Sequence, residues 1–155
     1  MSKTPDFDMS TVHRYFSADC FNKTWDLLDK NTRSTMEDEE MVWLSMTSLW
    51  HWTQRGDCTS QNLSIGYWLI SRVFAVIGQV DNARRYGQLC LESSQGDSVL
   101  PFYRGYAYEA LARAEHLAKN LEKMHEYNNK AHEVAEILPD PEEKQQLLND
   151  LETIN

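Results

Sequence analysis

Arg72 and Arg113 are the polar residues of this 155-residue chain best suited to recognition. Each stands one residue beyond a small side chain, Ser71 or Ala112, in segments that align at a constant shift of 41 residues. A guanidinium is a planar fork of donors, so two in one register predict a clamp for a carboxylate. The local alternative is an ion pair between Glu109 and Arg113, four residues apart, contributing only about 0.2–0.5 kcal/mol on an exposed helix.

A second candidate lies in SLWHWTQRG, residues 48–56, where His51 sits between Trp50 and Trp52. Histidine changes charge near neutral pH and can act as general acid or base. Beside Asp19, Glu109, Arg72 and Arg113, His51 would then serve a small enzyme of unspecified reaction. A histidine bonded to a carboxylate or backbone carbonyl is the commoner arrangement. Trp43, Met46 and Trp50 follow helical spacing and predict core packing. His51, rotated by about 100° from Trp50, leaves that face and is expected to point toward helix three.

Other chemistry has no local signature. His125 and His132 lack the i, i+4 spacing of a helical zinc pair, and neither HExxH nor a cysteine cluster occurs, so no metal and no cofactor are expected. Phosphate-binding and common hydrolase motifs are missing too. The run EDEE at 37–40 reads as a helix start, since consecutive carboxylates on a helix point in different directions.

The elements that must position these residues are helices. Apolar residues recur at three and four, and nowhere alternate long enough to predict a strand. The spacing predicts helices at about 9–30, 34–55, 60–78, 81–94, 101–118, 121–138 and 140–154. Ser34 or Thr35, Ser60 and Asp140 are the expected caps, Gly78 a terminator, and Pro141 an opening residue. Helix one carries Val12, Phe16, Cys20 and Leu27 beside Tyr15, Trp25 and Leu28, with Asp19 and Asn22 as polar inward residues. Helix two, apolar on nearly every side in MVWLSMTSLWHW, is expected at the centre of one single domain.

Composition narrows the function classes. A formal charge of -9 without a basic patch disfavours nucleic acid. The longest apolar run, Val73 to Ile77, is too short to cross a membrane, and MSKTPDFDMS lacks the apolar core of a signal peptide. Three widely spaced cysteines suit reduced thiols, so a cytoplasmic chain is expected.

Helices three and four can be laid over helices five and six at the 41-residue shift. Tyr67 falls on Tyr108, Ile70 on Leu111, Ser71 on Ala112, Arg72 on Arg113, Tyr86 on Tyr127 and Cys90 on Ala131. In YWLISRVFAVIGQVDNARRYGQLCLE an aromatic precedes a large aliphatic and a small residue, then come Phe74, the Gly78 turn and Ala83. The segment 60–138 thereby resembles the tetratricopeptide repeat superfamily. It departs from that pattern where Gly87 and Asn128 replace an aromatic, where Lys119 replaces the turn glycine, and in its period. The resemblance implies a right-handed superhelix of antiparallel helix pairs, at about 9–56, 60–94 and 101–138 with a capping helix at 140–154. It further implies a concave face carrying Trp68, Arg72, Tyr106, Glu109, Arg113 and His116, with His51 at its rim and Asp19 and Asn22 as extensions. The expected function is a non-catalytic interaction module that binds a partner protein, an acidic peptide or a small carboxylate ligand. Self-association through exposed aromatics is the third expectation.

Overall fold

The structure, a computed structural model, describes residues 6–154. Among them seven α-helices and no strand occur: α1 Met9–Leu28, α2 Thr35–Thr53, α3 Ser60–Val76, α4 Val80–Ser93, α5 Pro101–Leu117, α6 Leu121–Ile137 and α7 Pro141–Glu152. None is long and apolar enough to cross a membrane. The chain divides into two compact units, one ending at Cys58 and one beginning at Thr59.

The first unit is the hairpin of α1 on α2. Asp8 caps α1 by accepting from the amides of Ser10 and Thr11. Ser34 and Glu37 form a reciprocal capping box at the start of α2. The interface differs from the aromatic core that the periodicity predicts. Its buried residues are Ser17, Cys20 and Thr24 on α1 and Met41, Ser45 and Ser48 on α2. The Ser48 hydroxyl donates across the seam to the Ser17 carbonyl at 2.7 Å, and Thr24 and Ser45 donate to carbonyls of their own helices. Small side chains with satisfied hydroxyls let the helices approach closely, and the large rings turn outward. Trp43 and Trp50 are therefore exposed and not core, and Tyr15 and Phe16 are exposed as well. Trp43 follows the fully buried Met41 by about 200° around the helix.

In the second unit α3 packs on α4, α5 on α6, α4 and α3 on α5, and α7 against α5 and α6. The 41-residue shift relates structure as well as sequence. The starts of α3 and α4 shifted by that amount coincide with those of α5 and α6. Ile70, Ser71 and Cys90 are buried, as are their counterparts Leu111, Ala112 and Ala131. Tyr67 and Tyr86 pair at 6.2 Å between ring centroids, and Tyr108 and Tyr127 at 6.4 Å. Both turns use one backbone design. Gly78 adopts φ 79° and Lys119 φ 58°, while Gln79 N donates to Phe74 O and Asn120 N to Glu115 O. Lysine thus occupies a left-handed position usually left to glycine.

The boundary caps differ by a residue or two from those expected. Thr59, not Ser60, caps α3 in a box with Asn62, and α4 begins at Val80 after Gln79. Asp140 caps α7 and Pro141 opens it, as predicted. Met124, Val134, Leu147, Leu151 and Ile154 build the core under α5, where Gly105 is required by close approach: a Cβ there would meet Leu147 Cδ2 at 2.6 Å.

Candidate functional site

Five of the sequence-predicted residues come together between α3 and α5. Glu109, fully buried, is the centre. Its Oε2 accepts from Trp68 Nε1 at 3.0 Å, and its Oε1 accepts from Arg72 Nη1 at 3.0 Å and Arg113 Nε at 2.8 Å. Arg113 Nη2 continues to the Asp150 carbonyl and to Thr153 Oγ1 on the α7 side. Tyr106 stands edge-on to Trp68 and donates its hydroxyl to Asp150 Oδ2 at 2.6 Å. Burial, and then that carboxylate, push the Tyr106 phenol far above its ordinary pKa, so it remains a proton donor.

Two guanidiniums therefore share one carboxylate, Glu109, while Asp150 offers Arg113 its backbone carbonyl and Tyr106 its carboxylate. The pair of arginines does form a carboxylate clamp, and the carboxylate it holds is the protein's own. The exposed-helix reading of Glu109 and Arg113 is corrected by the burial of Glu109, whose side chain is 1 % accessible. A buried charge needs such partners, because desolvation without them is costly. His116 shares α5 with the cluster, but its Nδ1 is buried without a hydrogen-bond partner.

A similar lock joins α4 to α5. Arg84 Nε and Nη2 bond the two oxygens of the buried Glu115 at 2.6 and 3.0 Å. The fork geometry fixes both spacing and rotation of the helices. Cys90, held by Ser64, has its thiol pushed up to about 12 by burial, which removes it as a nucleophile.

The remaining predicted residues, Asp19, Asn22 and His51, belong to the first unit. Asn22 is exposed, and Asp19 pairs with Lys23 on its own helix at 2.9 Å, so neither is an inward polar group. His51 meets α1 within the hairpin: its Nδ1 lies 2.8 Å from His13 Nδ1. Phe16 stacks on His51 at 5.5 Å, and Trp50 stands edge-on to both imidazoles. Burial, and then His13, lower the His51 pKa.

Beside this pair a cavity of about 480 Å³ is lined by Met9, Ser10, His13, Arg14, Gln54, Arg55, Gly56 and Asp57. Asp57 closes one wall, taking two bonds of 2.8 Å from Arg55 and a longer approach from Arg14. The Arg55 fork holds the Asp57 carboxyl at about 2. Arg55 also donates to Ser17 Oγ and lies over the Trp52 ring.

His13, Arg55 and Asp57 were missed in the sequence because no local motif contains them. The usable signal is antiparallel geometry: His13 and His51 lie roughly equidistant from the turn between α1 and α2. No protein-family model matches the chain, and no curated protein and no solved structure matches it either.

Proposed function

We propose that this chain is a non-catalytic, tetratricopeptide-like helical-repeat interaction module of the cytoplasm, whose contact surface is the outer face of α2. One observation carries the reading. Met36, Trp43 and Trp50, spaced by seven, are 64, 56 and 55 % exposed. Seven residues are close to two turns, so the three side chains form one ridge about 21 Å long. Single exposed apolar residues are ordinary, but a row containing two tryptophans is the composition of an interface anchor.

The residues beside the ridge indicate the partner's chemistry. Glu39 and Glu40 are exposed on either side of the line from Met36 to Trp43. An amphipathic helix with an apolar seven-residue seam and lysines or arginines flanking it would satisfy both features. A second copy of the same face would bring glutamates against glutamates, which disfavours self-association. Both arginines of the α3–α5 cluster are already engaged by Glu109, so the reading places no acidic ligand there.

The test is tryptophan fluorescence with two synthetic helices of equal apolar seam, one flanked by lysines and one by glutamates. The basic helix is expected to shift the emission to the blue and to bind far more tightly than the acidic one. The double variant Trp43→Ala, Trp50→Ala should lose binding, measured by calorimetry, while keeping its melting temperature. Equal affinity for the two peptides, or undiminished binding by the variant, overturns the reading.

A further inference from the structure

We propose that His13 and His51 form a proton switch that holds the Trp50 end of the α2 ridge in place at neutral pH and releases it in mild acid. The two Nδ1 atoms, one on α1 and one on α2, are 2.8 Å apart, a hydrogen-bond distance. Such a bond needs one ring with a hydrogen on Nδ1 and one without. A first added proton is tolerated, since an imidazolium can donate to a neutral ring. A second leaves hydrogen on both nitrogens and no acceptor, so two like charges meet at contact and the rings must part.

The surroundings oppose that second proton. Across the cavity that His13 lines, α1 presents Arg14, and the chain beyond α2 presents Arg55 and Asp57. Asp57 is engaged by both arginines, which leaves one excess positive charge on this wall. Asp8 is engaged in the cap of α1 by the amides of Ser10 and Thr11. Burial first, and His13 second, hold the His51 pKa below its ordinary 6.5. The folded hairpin therefore takes up this proton later than the unfolded chain, and the stability concerned is complete above about 6.5 and lost as pH falls through the folded value.

The ridge feels the change through Trp50, whose ring centroid lies 5.5 Å from that of His13 and 4.9 Å from that of His51, while Phe16 stacks on His51. The imidazoles cannot part without disturbing this packing, and Trp50 is the exposed anchor that ends the ridge. Positive charge arriving beside it also repels the lysines or arginines of the partner helix. Both effects weaken binding in acid. As a control on binding the switch rests on the ridge being the contact surface; as a movement of Trp50 it rests on the hairpin alone.

The test follows the full chain by NMR from about pH 7.5 to 5, the range in which histidine changes charge. His13→Gln and His51→Gln assign the ring signals of the pair, and Trp50→Phe assigns the indole. The pair should titrate in two steps, the second below the ordinary histidine value, and the Trp50 indole signal should move with the second step. Either glutamine variant should abolish that movement. Because such a variant could also unfold, circular dichroism of the wild type is recorded over the same range and should stay fully helical. Affinity for the lysine-flanked helix should fall by about fivefold or more across the range, against a ceiling of tenfold per pH unit for one linked proton. A stationary Trp50 signal, or loss of helical signal in step with it, overturns the proposal. A moving Trp50 signal with pH-independent affinity overturns the control of binding and leaves the ridge reading intact. Absence of binding at every pH overturns the ridge reading, and the Trp50 signal alone then decides the switch.

Discussion

Trp68 and Glu109 occupy the same register of consecutive helix pairs, 41 residues apart, and the indole of one donates to the carboxylate of the other across 3.0 Å. Stacking places equivalent positions of neighbouring repeats side by side. The repeat therefore brings a donor on α3 to an acceptor on α5 without any local motif. Arg72 and Arg113 reach the same carboxylate from the two helices.

Removal of that carboxylate should be the most damaging polar change in the molecule. Glu109→Ala removes the buried carboxylate that the Trp68 indole and two guanidiniums share, at an expected loss of about 3–5 kcal/mol. Arg72→Ala should cost less, because Arg113 still bonds Glu109. Urea unfolding of the two variants checks the order. Equal losses would contradict a shared acceptor.

Trp43→Ala should change stability by less than about 0.5 kcal/mol, the range of surface substitutions. Leu111→Ala, at a position 1 % exposed, should cost roughly 2–5 kcal/mol as a cavity. Thermal unfolding of both variants tests the outward orientation of the α2 ring. A large loss in the tryptophan variant would place that ring in a core.

The two turns predict opposite responses to one exchange. At Lys119, with φ 58°, glycine relieves left-handed strain, and Lys119→Gly should stabilise by about 0.5–1 kcal/mol after the greater entropy of the unfolded chain is subtracted. Gly78→Ala should destabilise by about 1 kcal/mol, purely through the backbone, since a Cβ there meets nothing within 4 Å. Paired denaturation curves of the variants decide it. The same sign for both would show that the turns are not equivalent.

Asp57 gives the clearest acid response. Its carboxyl is held at about 2, below its ordinary 3.8, first by the hydrogen bonds from Arg55. A depressed carboxylate contributes stability that is complete above the unfolded value and disappears as pH falls through the folded one. Loosening of the Arg55 end of the hairpin is expected between about pH 4 and 2. Carbon NMR titration of the Asp57 carboxyl should give the low midpoint, and Arg55→Gln should raise it toward the ordinary value. An unchanged midpoint in the variant would remove Arg55 as the cause.

The number of helices, the Ser34 and Asp140 caps and the repeat register were determined by the sequence alone. Helical periodicity, Ser34 with Glu37, Asp140 with Pro141, and the Gly78 turn act over one or two turns of chain, so their physics is readable locally. The pairing of Glu109 with Arg113 was equally visible, being four residues long.

Which face of each helix is covered was decided only by the tertiary structure. A hydrophobic stripe predicts burial on the assumption that large side chains drive the contact. In the α1–α2 hairpin Ser17, Ser45 and Ser48 win instead, because their hydroxyls bond carbonyls and their small size permits close approach. Trp43 and Trp50 are left outside by that choice, and His51 is carried to His13. The same holds for the clamp. Two arginines in one register announce an affinity for a carboxylate, but only stacking of the repeats reveals that Glu109, 37 residues beyond Arg72, is the carboxylate they hold.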